Sequence, residues 1–179
     1  MKVPSRLIIF FIISAALLSF VAINDTSAAE LTDEQANRIS ANCTSIKNSL
    51  NQLHASDALL RVNRGQVYES MGTKLMNNFN ARLGGKSLDN KGLVAVTDSY
   101  QSALATFRTD YQIYERQLSV ALRIDCTKEP RTFHAAVEDA RIKRATVHDD
   151  VLRLHEYIDD YRSAVSGFIL NFERVTGSN

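Results

Sequence analysis

The sequence predicts an all-α protein, an antiparallel up-down-up three-helix coiled coil with one disulfide. Apolar residues recur every three or four positions over long stretches, which is typical of helices. The 179 residues include only two Pro and seven Gly, so few positions favour helix breaks. The two cysteines, Cys43 and Cys126, fall where folded-back helices would bring them together.

The first 29 residues have the pattern of a secretory signal peptide. Lys2 and Arg6 form a basic start, residues 7–23 carry no charge, and Ser27-Ala28-Ala29 is a small-residue cleavage sequence. An uncleaved membrane anchor is the alternative, although the apolar stretch is at the short limit for a bilayer span. We expect an exported protein, in the periplasm, at the cell surface or outside the cell, with a helical domain over 30–179.

The first helix is predicted over about 32–83. Thr32 can cap it while Gln35 reaches back to the N–H of Thr32, which makes a capping box. Gly84-Gly85 ends it, because glycine tolerates the left-handed conformation common at helix C-termini. A break near Ser56-Asp57, where either residue could cap a new helix, would give a four-helix bundle instead.

Two further helices are predicted over about 92–124 and 130–174, with Pro130 in the first turn of the last one. The seam of the second helix has apolar residues spaced alternately by four and three: Tyr100, Leu104, Phe107, Tyr111, Tyr114, Leu118 and Ala121. The third helix keeps the same spacing from Phe133 to Val175, interrupted by Arg144 alone. The first helix follows it less cleanly from Ala36 to Met71, with Val67 among its seam residues. A repeat of 3.5 residues maintained over this length favours a left-handed supercoil with partner helices.

Helix lengths favour a Cys43–Cys126 disulfide. Cys43 lies about 62 Å of helix before Gly84, and Cys126 lies about 51 Å of helix after Gly92. A few extended residues in the turn or before Cys126 would close the difference. An exported chain with two cysteines is expected to pair them, and no Cys-x-x-Cys redox motif is present.

Asp57, Arg64 and Arg144 are charged residues on otherwise apolar seams. In the proposed register Asp57 and Arg144 lie at one level with Asp110 of the second helix. We expect a buried polar layer in which Arg144 donates charge-assisted hydrogen bonds to Asp57 or Asp110. Such a layer specifies helix register at some cost in stability, and a site for a ligand carboxylate is the alternative.

The catalytic and metal-binding motifs sought in the sequence are missing. His155 and Asp159, four residues apart, are the weak candidates for metal ligands. The neighbouring charges are typical of a solvated face, and no nucleophile motif or catalytic triad accompanies them. A slim three-helix rod also leaves little interior for a ligand cavity. We therefore expect neither an enzyme nor a bound cofactor.

The charge balance argues against polyanionic partners. The chain has 21 Lys and Arg against 20 Asp and Glu, and residues 30–179 contain 19 of each. Nucleic-acid-binding proteins usually carry a basic excess, so nucleic acid is not an expected partner. Residues 30–179 contain no second apolar stretch long enough to span a membrane.

Two resemblances add to this reading. The stretch Leu122-Arg-Ile-Asp-Cys-Thr-Lys-Glu-Pro130, with Phe133, Val137 and Tyr161 after it, resembles uncharacterised secreted helical proteins of ultra-small, candidate-phylum bacteria. That resemblance covers about a third of residues 30–179 and implies no activity. Leu31-Thr32-x-x-Gln35 is similar to a motif of small periplasmic stress chaperones and metal sensors, which usually carry it twice.

The function that we expect is that of a secreted or periplasmic, non-enzymatic interaction module. Its partner would be a protein or a component of the cell envelope, and the module would be a monomer or a homodimer. A periplasmic holdase-type chaperone or metal sensor is one alternative, and a helical bundle that binds a small ligand is another.

Overall fold

The computed structural model describes residues 31–177, so the predicted signal peptide over 1–29 lies outside the described residues. Within this part 89% of the residues are helical and none is in a strand, which confirms the all-α prediction. None of the described helices is both long enough and apolar enough for a membrane crossing.

Helix α1 (Asp33–Ala41) begins at a capping box. The Thr32 hydroxyl accepts a hydrogen bond from the Gln35 N–H at 3.2 Å, and the Gln35 side-chain oxygen accepts one from the Thr32 N–H at 2.9 Å. Two otherwise unpaired N–H groups at the helix start are thereby satisfied.

Helix α2 (Cys43–Ser70) follows after a single irregular residue, Asn42, with φ −107° and ψ 15°. It continues as a regular helix through Ser56 and Asp57. The alternative that placed a break at these two residues therefore does not describe the structure.

A π-helical segment (Met71–Met76) connects α2 to α3 (Asn77–Gly84). At its end the Asn77 N–H donates to the Gly72 carbonyl, five residues earlier. A Cβ at Gly72 would lie 3.2 Å from the Tyr100 ring, so glycine permits this close approach. The first segment is therefore helical from Asp33 to Gly84 but interrupted twice, contrary to the single helix predicted over 32–83.

Helix α3 ends at Gly84, as the Gly84-Gly85 pair predicted, but the backbone of the turn differs from the expected left-handed glycine. Gly85 keeps a right-handed φ of −63°, and the positive φ of 55° falls on Ser87 instead. Hydrogen bonds from the backbone N–H groups of Lys86 and Leu88 to the Leu83 carbonyl close the turn.

Helices α4 (Lys91–Arg123) and α5 (Pro130–Thr176) pack against each other along much of their length. All seven seam residues predicted for α4 are buried. Pro130 occupies the first turn of α5, and Gly177 ends this helix in the left-handed conformation with φ 68°. The α5 seam becomes exposed towards its end, where Val175 is 81% exposed.

The direction of the first segment follows from side-chain contacts. Asp57 contacts Tyr114 and Tyr68 contacts Tyr100, so α2 runs antiparallel to α4. Asp57 also contacts Arg144, and Tyr68 contacts His155, so α2 runs in the same direction as α5. A continuous three-helix supercoil stays a prediction.

The buried face of α2 departs from the predicted seam after Asp57. Val67, a predicted seam residue, is 55% exposed, whereas its neighbour Tyr68 is 3% exposed. The main core surrounds Tyr68 and comprises Met76, Leu83, Leu93, Tyr100, Ala103, Leu104, Phe107, Leu154 and Tyr161. The first segment thus enters the core mainly through its second half.

The predicted disulfide between Cys43 and Cys126 is present, with the two Cα atoms 5.5 Å apart. The Ser40 hydroxyl reinforces this end by donating to the Thr127 carbonyl at 2.8 Å, and Arg131 forms an ion pair with Asp33. The disulfide therefore joins the start of α2 to the connection between α4 and α5.

Removing this bridge is expected to lower stability. It closes a loop of 83 residues, and the chain-entropy model assigns such a loop about 4 kcal/mol. The double variant Cys43→Ala/Cys126→Ala should therefore unfold at lower urea concentration, with a free energy of unfolding reduced by up to this amount. Reduced wild-type protein is the matched control and should behave like the variant. Equal stability of oxidised and reduced wild type would contradict the expectation.

Candidate functional site

A groove of about 600 Å³ lies between α2 and α5, and α4 supplies its floor. This volume is in the usual range for sites that bind small molecules. The lining residues from the three helices are Asp57, Leu60, Arg61, Arg64, Tyr68, Phe107, Tyr111, Tyr114, Arg141, Arg144, Ala145, Val147, His148 and Val151. A slim rod is expected to have little interior for a ligand cavity, and this site is instead a groove that is open at the surface.

The groove follows from the way in which α2 is attached. Few residues of α2 approach the backbone of α5, whereas several approach α4. The connection to α5 is made by long side chains, with Arg144 reaching across to Asp57 and His155 to Tyr68. Such bridges hold two helices further apart than interlocking aliphatic side chains would.

Asp57 is the centre of the polar cluster at one end of the groove. Its Oδ2 accepts hydrogen bonds from Arg144 Nε and from the Tyr114 hydroxyl, both at 2.7 Å. Its Oδ1 accepts a second bond from Arg144, at 3.1 Å. This two-pronged geometry is the strong form of an arginine–carboxylate pair. One carboxylate thereby joins α2, α4 and α5.

The hydrogen bonds at Asp57 decide its protonation state. Burial alone would raise the pKa of this carboxyl, but the bonds from Arg144 and Tyr114 outweigh that effect and lower the pKa below its usual value. Burial and the neighbouring Asp57 raise the pKa of the Tyr114 hydroxyl, which keeps its proton. The cluster is therefore a stable pair of charges with a neutral phenol as second donor.

Aromatic rings form the floor of the groove. Tyr111 and Tyr114 meet edge to face with centroids 6.0 Å apart, and Phe107 and Tyr68 meet in the same way at 5.9 Å. The guanidinium carbon of Arg61 lies 5.1 Å from the centre of the Tyr111 ring, a cation–π contact. The floor is apolar over most of its area but carries phenol groups at one end.

Tyr111 has a buried hydroxyl without a hydrogen-bond partner among residues 31–177. Its side chain is 4% exposed, and burial raises the pKa of its hydroxyl, so the group stays protonated. A buried donor without an acceptor costs free energy. Among the groove residues, this phenol is the one with a buried polar atom that has no hydrogen-bond partner within residues 31–177.

Comparisons with family models, curated proteins and solved structures give no match to this chain. Functional inference therefore depends on the geometry of the site.

Asp110 does not join Asp57 and Arg144 as predicted. It lies instead beside Asp150 of α5, which is 5% exposed. Burial, and then the negative charge of Asp110, raise the pKa of Asp150 to about 6. Asp110 lies four residues, about 6 Å of helix, before Tyr114, and Asp150 lies six residues, about 9 Å, after Arg144. Helix-length arithmetic therefore misplaced Asp110 by about one helical turn along the rod.

The candidate metal ligands His155 and Asp159 have other partners. His155 Nε2 lies 3.0 Å from the Tyr68 hydroxyl, and Asp159 pairs with Arg162 at 3.4 Å. Within residues 31–177, no three or more His, Cys, Asp or Glu side chains are grouped so that they could hold a metal ion.

Several groove residues gave little signal in the sequence. Arg61 sits between ordinary polar and apolar neighbours, and His148 resembles part of a solvated charge cluster. Tyr111 and Tyr114 lie on the predicted seam of the second helix, a position that predicted a role in core packing and no other role. Arg64 did stand out as a charge on a predicted seam, and it lines the groove, as Arg144 does.

Asp57→Asn is expected to lower the free energy of unfolding by about 2–3 kcal/mol, because it removes the charge that Arg144 and Tyr114 bond inside the protein. Urea unfolding followed by circular dichroism measures this loss. Asp139→Asn, which breaks a surface pair with Lys143, is the control and should cost less than about 0.5 kcal/mol. Equal effects of the two substitutions would contradict a structural role for the Asp57 cluster.

Asp150→Asn is expected to stabilise the protein at pH 8 and to change little at pH ~3.5. The folded state raises the pKa of Asp150, so its favourable contribution is fully present below the ordinary value of 3.8 and is lost as the pH rises from there through about 6. The full shift corresponds to at most about 3 kcal/mol. Urea unfolding of both proteins at the two pH values measures the difference. The exposed Asp160→Asn is the control, and a gain independent of pH would contradict the prediction.

Proposed function

We propose that this protein is an exported, non-enzymatic helical binding protein and that the groove between α2 and α5 is its contact site. The observation that carries the proposal is the combination of an apolar floor with polar groups at the edge. Ligand sites typically combine a mostly apolar lining with a few placed polar groups. The partner would be a ligand or envelope component that offers an apolar portion to the floor.

Export is supported by two independent features. The N-terminal sequence has a basic start, an apolar middle and a small-residue cleavage sequence. The Cys43–Cys126 disulfide is of the kind that persists in oxidising compartments such as the periplasm or the exterior.

The absence of enzymatic activity is supported by the state of Asp57. Among the described residues that line the groove, it is the one carboxylate. Both of its oxygens accept hydrogen bonds, and its lowered pKa makes it a poor proton acceptor near neutral pH. The groove thus offers recognition groups more readily than an acid–base pair.

A holdase-type chaperone is the second candidate, since α2 exposes apolar side chains beside the groove. Leu59, Leu60, Val62 and Val67 are each at least half exposed. A cluster of such residues can mark a surface for unfolded clients. Suppression of aggregation of a thermally unfolding client, measured by light scattering, would favour this candidate over selective binding in the groove.

Binding of a neutral apolar dye tests the proposed site. We expect Nile red to bind the oxidised protein with an increase in fluorescence, because the groove shields it from water. Ala145→Trp places a large ring in the lining and should weaken dye binding at least tenfold. Ala105→Trp, at an exposed position of α4 outside the groove, is the matched control and should bind as wild type does. Equal binding by all three proteins would exclude the groove as the site.

A further inference from the structure

We infer that the groove binds a single-chain anionic amphiphile, a fatty-acid type of molecule. Its carboxylate would lie among the arginines and its hydrocarbon tail along the aromatic floor. This inference rests on the proposed function, because it names the ligand class of the same groove. Three features of the described residues support it: the charge at the edge, the length of the apolar surface, and an unused donor.

The lining of the groove carries more positive than negative side chains. Arg61 and Arg64 come from α2, and Arg141 and Arg144 come from α5, against the single carboxylate of Asp57. Four guanidinium groups on two facing helices are an arrangement suited to an oxyanion. The near-zero net charge of the whole chain conceals this local excess.

Two of these arginines have no acidic partner among residues 31–177. Arg144 is held by Asp57, and Arg141 forms a pair with Glu138 at 3.4 Å. Within residues 31–177, no carboxylate oxygen lies within 4.0 Å of the guanidinium nitrogens of Arg61 or Arg64. Their charge is therefore available to a ligand. Arg61 is also positioned by its contact with the Tyr111 ring.

The groove is elongated along the helices. Its lining on α2 extends from Asp57 to Tyr68, which is about 16 Å of helix. The polar cluster of Asp57 and Tyr114 marks one end, while Phe107, Val151 and the ring of Tyr68 line the other. Arg61 and Arg64 lie about one and two turns along α2 from Asp57, so a head group held by them leaves the Phe107 end for an apolar tail.

The buried hydroxyl of Tyr111 is the second, independent sign of a ligand. It is a neutral donor without an acceptor among residues 31–177, in a side chain that lines the groove beneath Arg61. The hydroxyl oxygen is covered in this structure, so a ligand carboxylate held by Arg61 would supply the missing acceptor once the side chains that cover it shift. An acidic amphipathic peptide would offer similar charge, but a groove of about 600 Å³ suits a small molecule better.

Isothermal titration calorimetry with a matched set of probes tests the inference on the oxidised full chain. Dodecanoate should bind, and dodecanol and dodecyltrimethylammonium should bind at least tenfold more weakly, because they lack the anionic head. Acetate should show no measurable binding, because it lacks the tail. All titrations are run below the critical micelle concentration.

Each other outcome overturns the inference in a distinguishable way. Equal binding of dodecanoate and dodecanol would remove the anionic preference but leave the proposed groove intact. Binding of an acidic helical peptide without binding of dodecanoate would assign the groove to a protein partner. Failure of every probe, together with failure of Nile red, would overturn the proposed function as well.

A double variant and its control test whether Arg61 and Arg64 bind the ligand carboxylate. Arg61→Met/Arg64→Met should weaken dodecanoate binding tenfold or more and leave dodecanol binding unchanged, because the apolar stems remain. Arg162→Met, at an exposed position of α5 outside the groove, should bind as wild type does. Unchanged dodecanoate affinity in the double variant would overturn the role of the two arginines.

Tyr111→Phe separates recognition from folding. Removing a buried hydroxyl without a partner should leave the melting temperature of the free protein unchanged or raise it. The same change should weaken dodecanoate binding about three- to tenfold. A lower melting temperature with unchanged affinity would show that the hydroxyl serves the fold and does not contact the ligand.

Discussion

The carboxylate of Asp57 is the constraint on which the middle of this protein depends. It is one group from α2 that bonds to α4 through Tyr114 and to α5 through Arg144. A buried carboxylate is tolerated only when its oxygens are paired, so the three helices must adopt a common register at this level. Because the link to α5 is a long arginine side chain, the same interaction leaves space between α2 and α5. The groove is therefore a consequence of how the fold is held together.

Hydrogen bonds from tyrosines secure the next levels of the bundle. The Tyr100 hydroxyl donates to the Tyr68 carbonyl at 2.7 Å, and the Tyr161 hydroxyl donates to Asn80 Oδ1 at 2.8 Å. Asn80 in turn donates to the Thr97 hydroxyl, also at 2.8 Å. Apolar packing alone would permit one helix to slide past another, whereas these directional bonds permit a single register. The first helical segment is thus positioned by polar contacts inside an otherwise apolar core.

Much of the fold could be predicted from the sequence, because it depends on local patterns. The α4 seam, the capping box at Thr32 and the pairing of Cys43 with Cys126 follow from spacing, capping chemistry and helix rise. The interruptions at Asn42 and over Met71–Met76 could not be predicted in this way. The second depends on the Tyr100 ring against Gly72, a contact between residues far apart in the chain.

Only part of the candidate site could be predicted, because the groove also depends on contacts between residues far apart in the chain. Periodicity identifies which residues face inwards, but it does not show how far apart two inward faces lie. Arg144 and Asp57 stood out as charges on seams, and the structure places them together. The aromatic residues of the same seams looked like ordinary core residues, because the space above them arises from the arrangement of three helices. Asp110 shows the limit of register arithmetic, because an error of about one turn along the helix gives a residue a different partner.

The position of the disulfide also affects how the chain withstands proteolysis. The exposed turn around Gly84–Ser87 is the kind of segment that proteases cut, and it lies between Cys43 and Cys126 in the sequence. A single cut there would divide the backbone into two pieces that remain covalently joined at the opposite end of α2 and α4. The contacts of Asp57 and Tyr68 would still connect the pieces along their length. The molecule is therefore built to survive a nick at this exposed turn without releasing a fragment.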